Sequence, residues 1–294
     1  MYEIANHDLT VHLLDPEADQ KRFGPRYCTG GYIFQIDDER HGPLLTGPTY
    51  PESFSWFHGQ GIPDAFNLGA LRDAGSTGAE SLVPGIGVCD MGRREVLEYC
   101  DWTVSVAPTS VAFETHQSMG RFSFDLERTV SLFGRTIRSF TVLRNSGAAQ
   151  IPVCWFPHPF FPYVRTPNVH AAATRPASPA PGTGAPETGT AGPLCRLPGP
   201  VAFDLDRGYS LDEAGFFHCS DWKAGGALPV ACNESGPLTV LYRHPALGLI
   251  AATFSYSAGH VLLWGNDHTF SFEPYLERTV GIGRSLEWTV EYHL

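Results

Sequence analysis

The ten residues SLEWTVEYHL (residues 285–294) alternate without a break: Leu286, Trp288, Val290, Tyr292 and Leu294 are spaced by Glu287, Thr289, Glu291 and His293. Successive side chains of a β-strand point to opposite faces, so the spacing predicts a strand with one apolar and one wet face. The pattern recurs upstream. RFSFDLERTV (residues 121–130) sets Phe122, Phe124 and Leu126 on one face. RTIRSFTVL (residues 135–143) favours β-branched residues and carries no helical stripe. Further strands are expected at 32–36, 111–116, 149–155, 238–242, 249–254 and 261–264. Asn145-Ser146-Gly147 reads as a turn between two strands. The 31 glycines and 24 prolines supply the turns that many strands need. Long amphipathic helical windows are absent. The chain is therefore expected to be all-β, a sandwich or barrel with very little helix.

A chain of 294 residues prompts a search for two domains, but all-β folds reach this length as one unit and bury a large core without staples. One stretch stands apart. Residues 171–192, AAATRPASPAPGTGAPETGTAG, lack aromatics and cannot build a core. Strand patterns are the same on both sides of it. It is read as a mobile Pro/Gly/Ala-rich loop of a single domain spanning 1–294, rather than as a linker.

The formal net charge of −11 repels nucleic-acid backbones and anionic lipid headgroups, and no basic cluster offsets it. It also disfavours an anionic substrate such as a sugar phosphate, unless a local positive pocket overrides the average. No run approaches the length needed to span a bilayer, and the opening MYEIANHDLTVHLL lacks the apolar centre of a signal peptide. The seven cysteines are scattered, odd in number and free of any CxxC pair, which points to reduced thiols and a cytoplasmic protein. Most are expected to act as small buried hydrophobes. No HExxH, EF-hand or GxSxG pattern occurs, so neither a metal site nor a serine nucleophile is expected.

Three segments carry groups with possible chemistry. In WFPHPFF (residues 155–161), His158 stands between two prolines. Each proline fixes its own φ and restricts its predecessor, so the imidazole is held rigidly beside an aromatic wall. Such a His serves as acid or base near neutrality, although a lone His is more often structural. In WGNDHTFSFEP (residues 264–274), Glu273 lies between Phe272 and Pro274. Apolar company raises a carboxyl towards the range of a useful base, roughly 6–7. Asn266, Asp267 and His268 add polar groups there, and a plain β-turn accounts for them equally well. In HGQGIPDAF (residues 58–66), glycines permit close backbone approach to a ligand, and His58, Gln60 and Asp64 are donors and acceptors suited to hydroxyls. It lacks the pattern of a phosphate loop.

In order and spacing, these segments resemble the aldose 1-epimerase (galactose mutarotase-like) superfamily over roughly residues 25–294. The strand, N-S-G turn and WFPHPFF between Asn145 and Phe161 resemble the segment bearing its catalytic His. FEPY (residues 272–275), then a glycine-containing turn and the closing strand, looks like the segment bearing its catalytic Glu. GQGIPD (residues 59–64) and VPGIGVCDMG (residues 83–92) are similar to parts of bacterial members. The resemblance implies a large antiparallel β-sandwich that interconverts α and β anomers of a free sugar without metal or organic cofactor. Carried over, His158 is the general acid that protonates the ring oxygen and Glu273 the base that takes the C1 hydroxyl proton, the two facing each other across a bound pyranose. Arg26, His58, Gln60, Asp64, Trp155, Asp221 and Asp267 are the candidate substrate-binding residues. The chain departs from the family pattern in places. Cys154-Trp155-Phe156-Pro157 replaces the N-x-x-N lead-in to the His, and Gly24-Pro25-Arg26-Tyr27 only loosely echoes an arginine motif. Asp204, Asp206, Asp221 and Asp267 compete for the role of substrate-binding aspartate. The expected partner is a small-molecule sugar, with a homodimer left open and neither nucleic acid nor membrane expected. The rival readings are a sugar-binding protein without catalysis and a lyase or hydrolase on the same fold. Hydrolysis usually wants two carboxylates, whereas a His–Glu pair suits proton shuttling.

Overall fold

The C-terminal strand forms as its alternation requires. In the computed structural model, which describes residues 1–50, 53, 55, 57–66, 71–72, 79–166, 190–204, 207–222, 226–232 and 235–294, Ser285–His293 is a strand with Trp288, Val290 and Tyr292 buried. It sits inside an eight-stranded antiparallel sheet. The order is Cys195–Arg196, Leu238–His244, Gly248–Phe254, Ser285–His293, Thr136–Asn145, Phe122–Phe133, Ser110–Met119 and Thr103–Ala107. In Phe122–Phe133 the alternation holds: Phe122, Phe124, Leu126 and Val130 are buried, while Ser123, Asp125 and Glu127 reach solvent. Asn145 makes the turn that follows. Its Nδ2 donates to the carbonyls of Ala149 (2.8 Å) and Val280 (3.0 Å), and its Oδ1 accepts from the Gly147 N–H (3.0 Å). A short polar side chain that bonds nearby backbone is what an Asn turn requires.

Two smaller antiparallel sheets cover this large one. The first holds Asp64–Phe66, Ile151–Pro157 and Leu276–Val280. The second holds Val201–Ala202, Leu228–Cys232, His260–Gly265 and Phe270–Pro274. An aromatic layer joins them to the large sheet: Trp155 lies 5.3 Å from Trp288, Phe161 5.1 Å from Tyr242 and Phe272 6.5 Å from Phe254. Facing sheets pack through such interdigitated inner side chains, and large rings contribute the most buried area. The all-β antiparallel sandwich expected from the sequence is the fold.

One short helix among the described residues, Pro16–Phe23, accords with the very little helix expected. Asp15 caps it by accepting from the N–H groups of Glu17 and Ala18 at 3.2 and 3.1 Å, and Pro16 occupies its first turn. No helix among the described residues is long and apolar enough to cross a membrane. None of the seven cysteines is in a disulfide among the described residues, and five are buried. Of the 171–192 stretch, Thr190–Ala191 pairs with Arg165–Thr166 and with Cys219; residues 171–189 lie outside the described residues.

Candidate active site

Two segments meet where the covering sheets join. Ile151–Pro157 runs antiparallel to Leu276–Val280, with Ile151 opposite Val280 and Trp155 opposite Leu276. Further along, Phe161 bridges Phe270, and the two exchange backbone hydrogen bonds of 3.1 and 3.0 Å. Both pairings share one register. Counting inward from either end sets His158 opposite Glu273. The ladder is interrupted between them, where Pro157, Pro159 and Pro274 lack an N–H. The His158 N–H donates instead to the Pro63 carbonyl at 2.8 Å. Residues directly opposite on antiparallel strands project to the same side. The imidazole and carboxyl therefore emerge together, with His158 Nε2 3.3 Å from Glu273 Oε1.

The other ring nitrogen of His158 is also held. Nδ1 lies 2.9 Å from Oγ of Ser271, which is fully buried. Glu273 keeps 3 % of its surface and His158 9 %. Burial disfavours the charged form of each group. It pushes the Glu273 carboxyl from its ordinary 4.5 up to about 8, against the pull of Arg26. It pushes His158 from 6.5 down to about 3, and Arg26 adds to that shift. Between those values the pair holds one proton, which rests on Glu273 while His158 stays neutral.

The pair lines a cavity of about 750 Å³ with Arg26, Tyr27, Phe57, Phe66, Phe156, Leu262 and Trp264 among its walls. Arg72, Met91 and Arg94 complete one side. The Trp264 ring meets His158 edge-on at 5.6 Å, and Phe156 stacks on Tyr275 at 4.5 Å. Apolar rings around a few convergent polar groups are the usual make-up of a small-molecule site.

Of the candidates read from the sequence, the structure brings His158, Glu273 and Arg26 together. The Arg26 guanidinium carbon lies 4.9 Å from the ring centres of both Tyr27 and Phe57. The others lie elsewhere. Trp155 was expected on the sugar-facing side, but strand parity turns it away from the face that carries Phe156 and His158. Its indole N–H donates to Asp64 Oδ2 at 2.6 Å beneath the site. Asp64 likewise faces inward, where Arg128 Nη2 approaches the same oxygen at 2.6 Å. Gln60 is buried, and its backbone N–H and carbonyl engage the Tyr32 hydroxyl at 3.2 and 2.7 Å. His58, Asp221 and Asp267 are exposed, and none is among the cavity-lining residues. Asp267 offers its backbone carbonyl to Arg165. Asp206, another candidate aspartate, is outside the described residues. The expected placement of His158 and Glu273 across a bound pyranose also needs correction: they touch, and no ring fits between them.

The sequence reading passed over Phe156, Ser271, Arg72 and Arg94. Phe156 was within reach, because it shares strand parity with His158. Ser271 was not, because its partner lies 113 residues away.

No protein-family model and no curated protein matches the chain. Solved structures do. A galactose mutarotase related enzyme from Lactobacillus acidophilus superposes with a TM-score of 0.60 at 14 % identity, over 100 % of this chain and 97 % of that one. A galactose mutarotase-like protein from Lactobacillus casei gives 0.60 at 13 %, over 100 % and 99 %. A candidate aldose 1-epimerase from Escherichia coli K12 gives 0.52 at 13 %, over 99 % and 97 %. The likeness is one of fold, and it runs the length of the chain.

Proposed function

We propose that this protein interconverts the α and β anomers of a sugar, with His158 and Glu273 as the proton-transfer pair. The observation that carries this reading is their 3.3 Å contact, nearly buried, on the wall of a large cavity. Anomer exchange moves protons at the C1 hydroxyl and at the ring oxygen. Both oxygens are bonded to C1, so the acid and base that serve them must be neighbours on one side of the sugar. One proton between the two groups suffices. A C1 hydroxyl donating to Glu273 favours its carboxylate and sends the shared proton to His158. Glu273 then takes the hydroxyl proton, His158 protonates the ring oxygen, and the bond from C1 to that oxygen breaks. Rotation about C1–C2 exposes the other face of the aldehyde, and the reverse transfers close the ring. Ser271 positions the His158 ring through Nδ1.

Hydrolysis fits less well. Glu273 is the only carboxylate among the described cavity-lining residues, and both usual glycosidase geometries need two. The test is a panel of freshly dissolved α-anomers followed by polarimetry or NMR with and without protein. Accelerated approach to the equilibrium anomer ratio is the expected result. Saturable sugar binding with no acceleration on any member contradicts the proposal and leaves a binding protein.

A further inference from the structure

Three arginines line the cavity, on a protein whose formal net charge is −11. Arg26 stands near the pair, close enough to act on the titration of both Glu273 and His158. Arg72 and Arg94 are exposed, and neither makes an ion pair among the described residues. Arg121 and Arg284 are likewise exposed without an ion pair among the described residues, so what sets Arg72 and Arg94 apart is their place on the wall of the same cavity as Arg26. Against these three cations the described lining offers one carboxyl, Glu273, which burial keeps largely protonated below about 8.

Arg94 carries a second signal. It is the one non-glycine residue among those described with a positive φ, at 57°. It ends the turn between strands Gly87–Asp90 and Glu95–Tyr99, where Asp90 Oδ1 accepts from the N–H groups of Gly92 and Arg93 at 2.8 and 3.0 Å. Glycine or asparagine fits that left-handed position with least strain. The chain instead places a guanidinium there, against the cavity. Strained residues gather where a function holds them.

We infer that the cavity selects a sugar bearing an anionic group, a phosphate or a carboxylate, held by Arg72 and Arg94 while C1 lies against His158 and Glu273. A guanidinium fork matches either anion in geometry. A cationic cleft in an anionic molecule also concentrates the field at its mouth and draws such a ligand in. The average charge of the chain argues against an anionic substrate; the local charge of the cavity is opposite in sign and decides.

This inference rests on the anomer-exchange reading for the placement of C1, and a binding measurement separates the two. Isothermal calorimetry at low salt compares glucose, glucose 6-phosphate, glucuronate and inorganic phosphate. At least one anionic sugar should bind tighter than glucose by about tenfold or more, the worth of one charge-assisted hydrogen bond. Which of the two binds better identifies the anion. Arg94→Asn, which keeps the left-handed backbone, and Arg72→Gln should each lower the ratio of anionic to neutral affinity about tenfold, with melting curves confirming the fold. Glucose binding as tightly as both anionic sugars overturns the inference even if glucose anomers interconvert. So does inorganic phosphate binding as tightly as glucose 6-phosphate, or a ratio unchanged in both variants. Tight binding of an anionic sugar that is lost in the variants, without anomer exchange, removes the catalytic reading and leaves charge selection standing.

Discussion

Glu273 and His158 sit far from their ordinary titration ranges because little water reaches them. For Glu273 the folded value is raised, to about 8 from 4.5. As pH climbs through that window the unfolded chain sheds a proton that the fold retains, so stability falls. For His158 the folded value is lowered, to about 3 from 6.5, and stability falls as pH drops through that window. Glu273→Gln should therefore stabilise the protein, by roughly 1–4 kcal/mol near pH 8 and by much less near pH 4. Urea titrations at the two pH values read this directly, and a variant less stable than wild type at pH 8 contradicts it. Activity follows the same window. The catalytic pair needs one proton, so kcat/KM should hold level from pH 5 to 7 and fall as pH rises through about 8. Because the groups are coupled, that limb belongs to the pair rather than to Glu273 alone. An acid limb near 6 contradicts the account. The local setting of both residues was legible in PHP and FEP. Their contact was not, because it depends on a register fixed by residues more than a hundred positions apart.

Strands were the most legible elements, since period-two alternation is a local property of the chain. Phe122–Phe133, Thr136–Asn145 and Ser285–His293 lie where the pattern sets them. Which face of a strand lines the site was harder. Trp155 and Phe156 are adjacent aromatics; parity with His158 selects Phe156, and the pairing of Ile151–Pro157 with its neighbours shows that this parity faces the cavity. The short helix was missed although Asp15-Pro16 marks its start, because eight residues give too little periodicity. Arg128 was hidden for a different reason: it occupies an inward position of an apolar strand. Its guanidinium bonds the Gly30 carbonyl and Thr141 Oγ1, both at 3.1 Å, besides pairing with Asp64. Removing one member of a buried pair strands the other charge. Arg128→Ala should cost about 3–5 kcal/mol in a urea titration. Adding Asp64→Ala should cost less than the sum of the single losses, since neither charge is then left alone. A loss below about 1 kcal/mol for Arg128→Ala contradicts the role given to the pair.

At the scale of the molecule, the large sheet draws strands from both sides of the 171–192 stretch. Thr103–Ala107 through Thr136–Asn145 precede it, while Cys195–Arg196, Leu238–His244 and Gly248–Phe254 follow it. A sheet shared in this way cannot be divided between two independently folding halves without opening its ladders. Limited proteolysis within 171–189 should therefore leave two fragments that stay associated without denaturant. Fragments that separate and each remain folded contradict the single-domain proposal. Composition spoke to the surface average and not to the cavity, which is why a net charge of −11 concealed a site lined by three arginines. The central claim remains the proton-transfer pair. Its most direct test is the rate of anomer interconversion by folded Glu273→Gln, measured by NMR on the sugar that wild type turns over fastest. The substitution keeps the shape of the side chain and removes the base. The account predicts a fall in kcat of about 10²-fold or more with a smaller change in KM, and a double variant with His158→Gln little worse than the weaker single. Near-normal turnover by a well-folded Glu273→Gln protein would contradict it.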